Sequence, residues 1–147
     1  MSNEFNTTRT FRMSGCLFCK IVKKEIPCLA LAETDKSLAF LDIGPLSKGH
    51  VLVIPKKHGE KFHDLDEESL IDLLPTAQKI VKRFREMGLC EDYNILQNNG
   101  ALAHQEVKHV HFHIIPKTES EGLGISWPTK SFGKEELSAF QQQFLKK

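Results

Sequence analysis

The sequence predicts an α+β fold: a five-stranded, mostly antiparallel sheet with one long helix and a short N-terminal helix. Three features carry that expectation. Apolar residues recur at helical spacing through one long segment, 66–87; five short apolar or alternating runs are set off by turn-forming residues; and the first two of those runs lie close enough for a hairpin.

Residues 1–14 are polar and read as a loose tail, followed by one domain over 15–147 in which 117–147 is a C-terminal extension. Cys16 to Glu25 carries Leu17, Phe18 and Ile21 on an amphipathic stretch, so a brief helix is expected to end before Pro27. Leu29–Glu33 and Ser37–Ile43 read as the first two strands, joined by a Thr34-Asp35-Lys36 turn. Breaker-rich Gly44–Gly49 then leads into His50–Pro55, a β-branched run stopped by proline. In 66–87, Leu70, Leu73, Leu74, Ala77, Ile80, Val81, Phe84 and Met87 are expected to line the core face, with Asp66 as N-cap, Gly88 after the C-terminus and Pro75 on the solvent side. Tyr93–Gln97 and His109–Ile115 read as the last two strands, and Lys134–Leu145 as a short helix.

Composition narrows the function classes. Twenty Lys and Arg against nineteen Asp and Glu leave a net charge of +1, so no broad basic surface is available for nucleic acid and any phosphate binding must be local. The longest apolar runs fall far short of the roughly 20 residues that span a bilayer. The polar N-terminus lacks the apolar core of a secretory signal; Arg9 and Arg12 are reminiscent of a mitochondrial presequence, but Glu4 and the short length argue against one. Cytoplasm, and alternatively nucleus, are the expected compartments. Four cysteines in such a setting suggest thiols or metal ligands rather than disulfides, and Cys28 and Cys90 read as ordinary buried or half-buried thiols.

The chemistry concentrates in His109-Val110-His111-Phe112-His113-Ile114-Ile115. On a strand, a period of two puts the three imidazoles on one face and Val110, Phe112 and Ile114 on the other. Neighbouring rings on that face are about 6.6–7 Å apart, which lets a phosphate-sized oxyanion touch two of them. Neutral imidazole can accept a proton, donate a hydrogen bond, bind metal or attack an electrophile near neutral pH. A solvated strand face and a purely structural metal site are the competing readings.

This pattern resembles the histidine triad superfamily. The resemblance takes in Cys16-Leu-Phe-Cys19, Phe40-Leu-Asp42-Ile-Gly-Pro45, Gly49-His50 through Pro55-Lys-Lys-His58, Asn98-Asn99-Gly100 and His104-Gln105-Glu106-Val107, and covers about residues 16–128. Order and spacing are most similar to the Hint branch of nucleotide-binding phosphoramidases, and the His-Gln-Glu-Val variant with Trp127-Pro128 to its fungal members.

The resemblance implies that His111 attacks the α-phosphorus to form a nucleotidyl-imidazole, with His113, His50 and His109 as the other active-site histidines. It implies that Asp42 accepts from the ribose hydroxyls, that Asn98 and Gln105 belong to the nucleotide site, and that Phe18, Ile21 and Ile43 help to wall the base. An ordinary turn would also use Asp42 before Gly44-Pro45, and Asn98-Asn99-Gly100 is common turn chemistry. Where animal relatives carry serine in the loop before the triad, this chain has Glu106, which either turns away from phosphate or recognises a cationic amine leaving group.

Cys16-x-x-Cys19 also occurs in redox proteins, but no thioredoxin-like βαβ pattern follows it. Zinc-containing relatives imply a structural Cys₂His₂ site made by Cys16, Cys19, His58 and His109, with no organic cofactor. The expected activity is hydrolysis of adenosine 5′-monophosphoramidates, and of acyl- or aminoacyl-adenylates, to AMP, in a homodimer whose two sheets join into ten strands. The alternatives are a dinucleoside polyphosphate hydrolase, which the Gln105-x-Val107-x-His109 spacing also matches, and a nucleotide-binding interaction module.

Overall fold

The computed structural model describes residues 15–147; the expected tail at 1–14 lies outside the described residues. In chain order the elements are α1 (Leu17–Val22), β1 (Ala30–Glu33), β2 (Ser37–Leu41), β3 (Val51–Pro55), α2 (Glu67–Glu86), β4 (Asp92–Gln97), β5 (Phe112–Lys117) and α3 (Lys134–Leu145), with 3₁₀ turns at Phe62–Asp64 and Ala101–Ala103. The strands form one sheet in the order β1-β2-β3-β5-β4, and each neighbouring pair is antiparallel. This is the α+β class expected.

The helix boundaries follow from their caps. Cys16 Sγ accepts from the Cys19 N–H at the start of α1, and Asp66 accepts from the Ser69 N–H at 2.8 Å at the start of α2. Glu67 and Glu68 in the first turn of α2 and Arg83 and Arg85 in its last turn both complement the helix dipole. Gly88 takes the left-handed conformation that closes it, at φ +67°. Pro75 sits on the exposed side, as expected.

Alternation along the strands divides the sheet into two faces. Ala39, Val51, Val53 and Ile114, continued by Val110, pack against Leu73, Ala77, Ile80, Val81 and Phe84 of α2. Leu38, Phe40, Leu52 and Ile54 on the opposite face pack beneath Phe18 and Ile21 of α1. One face therefore supplies the larger core, and the other, only partly covered by a six-residue helix, keeps room for a cleft.

Two expectations are corrected here. Leu74 and Met87 are exposed; the buried stripe of α2 keeps Leu73, Ala77, Ile80, Val81 and Phe84 and adds Ser69 and Thr76, where Thr76 donates its hydroxyl to the Asp72 carbonyl at 2.8 Å. The last strand begins at Phe112 rather than at His109. Extending the β3–β5 register past Val53↔Phe112 would place Val110 opposite Pro55, which has no N–H to give. The Val110 N–H instead donates to the Gly59 carbonyl at 2.8 Å.

Gly49 leads the chain into β3 at φ +87°, and a Cβ there would meet Leu89 Cδ2 at 2.6 Å. Gly49→Ala is expected to cost about 1–3 kcal/mol in urea unfolding, because a left-handed backbone and a filled space both oppose the methyl group.

Candidate active site

The partly covered sheet face carries a cleft of about 450 Å³. Phe18 and Ile21 from α1, Phe40 from β2 and Leu52 from β3 form its apolar side; Asp42, Asn98, His50, His111 and His113 line it with polar groups. That volume is in the range of small-molecule sites, and an apolar wall with a few convergent polar groups is their usual make-up.

Hydrogen bonds set the protonation pattern of each imidazole, because a neutral ring has one donating and one accepting nitrogen. His111 Nδ1 lies 2.7 Å from the His109 carbonyl, which only accepts, so Nδ1 carries the proton and Nε2 keeps a free lone pair. His50 Nδ1 accepts from the Leu46 N–H at 3.1 Å, so its Nε2 carries the proton and donates to His113 Nδ1 at 2.9 Å. His113 Nε2 is then the donating nitrogen of a ring that lines the cleft. The site thus presents one nucleophilic nitrogen and one hydrogen-bond donor on rings whose centroids are 4.9 Å apart. Phe18 packs edge-on against His111 with centroids 5.1 Å apart, which fixes the ring plane.

Burial keeps these rings neutral. It depresses the proton affinity of His111, opposed by the bond to the His109 carbonyl and by the charges of Asp42 and Glu106. It depresses His50 in the same way, with Asp42 acting against it. His113 is pushed down to about 4, first by burial and then by its neighbours His111 and His50. Neutral imidazole is the form that attacks phosphorus.

His109 does not share the cleft with His111 and His113. It is fully buried, donates from Nε2 to the Pro55 carbonyl at 2.8 Å, and turns Nδ1 toward Cys16, Cys19 and His58. The ligand-capable atoms of those four residues lie within 4.8 Å of one another. A tetrahedral ion about 2.0–2.1 Å from nitrogen and 2.3 Å from sulfur needs N···N edges near 3.3–3.4 Å and N···S edges near 3.6 Å. The structure has 3.2 Å between the two imidazole nitrogens and 3.3, 3.4 and 3.6 Å between nitrogen and sulfur. The residues therefore fit a closed four-ligand metal site, and the Nε2 bond to Pro55 gives His109 the tautomer a ligand needs. Without a cation, burial and Cys16 push the Cys19 thiol up to about 12. Asp42, His50 and His113 also approach within 4.8 Å, but there the His50 proton occupies the centre and makes a hydrogen-bonded relay.

The other expected residues fall as follows. Asp42 lines the cleft while its Oδ1 accepts from the Gly44 N–H at 2.8 Å, so it serves the turn and the cleft together. Asn98 lines the cleft and donates to the His104 carbonyl at 3.4 Å. Ile43 lines the cleft at its rim, 96% exposed. Gln105 is buried outside the cleft lining; its amide accepts from the Gly100 N–H at 2.7 Å and donates to the Glu60 carbonyl at 2.6 Å, so it builds the loop. Asn99 likewise braces its surroundings, accepting from the Phe62 N–H at 2.7 Å. His104, given no role by sequence reasoning, joins the lining at φ +68°; an uncommon backbone for a non-glycine residue is invisible in a sequence. The Leu46 N–H and the Pro55 carbonyl were missed because any residue supplies such groups.

The HIT domain profile matches residues 23–120. An adenosine 5′-monophosphoramidase of Schizosaccharomyces pombe is 55% identical over 134 residues, covering 90% of this chain and 98% of that protein. One from Saccharomyces cerevisiae is 47% identical over 135 residues, covering 91% of this chain and 83% of that protein. Among solved structures, the histidine triad nucleotide-binding protein from Candida albicans superimposes with a TM-score of 0.83 at 44% identity, covering 88% of this chain and 94% of that one. A hypothetical protein from Leishmania major gives the same TM-score of 0.83 at 49% identity, covering 89% and 94%.

Because His113 binds its proton less tightly in the folded protein than in the unfolded chain, it favours folding fully above about pH 6.5, and that contribution is lost as pH falls through about 4. An NMR titration is expected to show the His113 ring protonating near pH 4, with stability falling across the same window. A midpoint near the ordinary value of about 6.5 would contradict this burial.

Proposed function

This chain belongs to the HIT domain family, and from that membership and the cleft we propose that it hydrolyses the P–N bond of adenosine 5′-monophosphoramidates, and the P–O bond to the acyl group in acyl- or aminoacyl-adenylates, to AMP. The observation that carries the reading is the His111 ring: its Nδ1 proton is held by the His109 carbonyl and its Nε2 lone pair is left for attack, in a cleft with apolar walls and a carboxylate.

In the first step His111 Nε2 forms a bond to the α-phosphorus and the P–N bond breaks, its electron pair leaving with the nitrogen, which takes a proton from solvent and departs as free amine; the water of the second step returns a proton to solvent. In the second, water attacks the phosphorus of the nucleotidyl-imidazole, the bond to Nε2 breaks, and AMP leaves with the ring restored to neutrality. Phosphoramidate plus water thus gives AMP plus amine, and two moderate barriers replace one high one. His113 donates to a phosphate oxygen, with its Nδ1 held by His50, and this fixed donor stabilises charge that develops in the transition state. Asp42 receives the ribose hydroxyls, Asn98 lies on the phosphate side, and Phe18, Ile21 and Ile43 bound the base.

For the Cys16, Cys19, His58 and His109 cluster we propose structural zinc, which when bound would ionise the thiols and cross-link α1 to the segment before β5. His109 then links the two sites, since its ring belongs to the cluster and its carbonyl holds His111. We propose a homodimer as the assembly: β4 is an edge strand with Tyr93 and Ile95 exposed, and Leu74 of α2 is exposed as well. Cytoplasm and nucleus are the proposed compartments.

His111→Asn is expected to abolish release of AMP from adenosine 5′-phosphoramidate by at least roughly 10³-fold while leaving the fold intact by circular dichroism. Diadenosine triphosphate in a parallel assay tests the rival reading, and its faster turnover would displace the phosphoramidase. Elemental analysis is expected to find one zinc per chain, absent from a Cys16→Ala/Cys19→Ala variant, and chelation is expected to lower the melting temperature. Light scattering is expected to give about twice the chain mass of 16.7 kDa.

A further inference from the structure

We propose that Glu106 selects the leaving group by charge, favouring amines that carry a second, protonated nitrogen and disfavouring anionic leaving groups. This rests on the P–N reading above and adds to it the chemical class of the departing group.

The cleft has few walls left for a leaving group. The apolar side belongs to the base, Asp42 to the ribose, and His111 with His113 to the phosphate, so the group that departs opposite the nucleophile meets the remaining wall, formed by Asn98, His104, Glu106 and Val107. Behind that wall lies a second cavity of about 590 Å³, which shares Leu17, Glu106 and Val107 with the cleft. Glu106 is the one carboxylate that borders both spaces, and Glu60 and Lys108 line the second cavity beyond it. A leaving group longer than ammonia passes the Glu106 carboxylate on its way out.

The backbone on either side of Glu106 is anchored and its carboxylate is left available. Gln105, the preceding residue, is buried with its amide bonded to the Gly100 N–H and the Glu60 carbonyl, and Val107, the following one, is half-buried. The backbone between these anchors turns Glu106 outward, with 83% of its side chain exposed. Among the described residues its ion-pair partner is His104, at 3.9 Å, and no lysine or arginine lies within 4 Å of it. By contrast, Asp42 is already engaged by Gly44 and faces His50. Glu106 therefore offers a negative charge, faced only by the exposed His104 ring, on the side where the leaving group departs. The same charge repels a departing phosphate chain, which sets this site against dinucleoside polyphosphates.

The test uses three adenosine 5′-phosphoramidates of matched length, whose leaving amines end in an ammonium, a methyl or a carboxylate group. Steady-state kcat/KM is measured for the wild type, Glu106→Gln and Glu106→Lys at low and high salt. An exposed charge pair supports about a two- to fivefold preference for the ammonium over the methyl compound at low salt, with a smaller ratio at high salt. That ratio is expected to approach one in Glu106→Gln and to invert in Glu106→Lys. The same order of preference in all three proteins would overturn the inference while leaving the phosphoramidase reading standing. Absence of turnover on all three compounds by the wild type would overturn that reading and this inference with it.

Discussion

Main-chain hydrogen bonds to imidazole rings are the constraint on which the site depends. A neutral histidine exchanges between two tautomers, and only one of them gives a nucleophile or a donor where it is needed. The His109 carbonyl holds the Nδ1 proton of His111, the Leu46 N–H takes the lone pair of His50, and the Pro55 carbonyl takes the proton of His109. Each backbone group removes one of the two choices, and the His50–His113 contact passes the result to a fourth ring. Burial completes the arrangement by keeping the rings uncharged.

This explains why the fold is asymmetric. The face under α2 is a dense apolar core, with Leu73 against Val53 and Ile114 in a single cluster. The other face holds smaller stabilising contacts and the polar chemistry, including loops that are tied down individually. Ser47 donates to the Pro116 carbonyl at 2.7 Å, which fastens the loop that presents the Leu46 N–H onto β5. His109 is the joint between the cysteine cluster and His111: its ring faces one and its carbonyl the other. Any change that rotates this residue alters both.

The near balance of charge over the whole chain takes on meaning at this scale. With a net charge of +1 and burial keeping the cleft imidazoles neutral, the cleft offers a phosphate directed hydrogen bonds instead of a broad positive field. Two carboxylates, Asp42 and Glu106, line the same cleft. Local charge, with little to compete against it, can discriminate between one ligand and another.

Much of this was legible in the residues. The unbroken apolar run Val51–Ile54, buried on both faces of the sheet, and the 3.6-residue period from Leu70 to Phe84, buried on one face of a helix, are local properties that sequence records directly, so the elements and the α+β class could be read. The grouping of Cys16, Cys19 and the histidines was legible through resemblance, since their spacing is short and their chemistry distinctive. What the pattern could not settle was which histidine belongs to which site. A perfect strand alternation puts His109 beside His111 and His113, yet the ladder ends at Phe112 because Pro55 lacks an N–H, and the chain before it turns His109 into the cysteine cluster. Gln105 was misplaced for a related reason: its amide was drawn inward by Gly100 and Glu60. The sequence by itself determined which side chains could carry the chemistry and which faces would be buried. Tertiary structure alone decided their partners, tautomers and exposure, because those depend on backbone groups brought together from distant segments, and backbone groups carry no mark in the sequence.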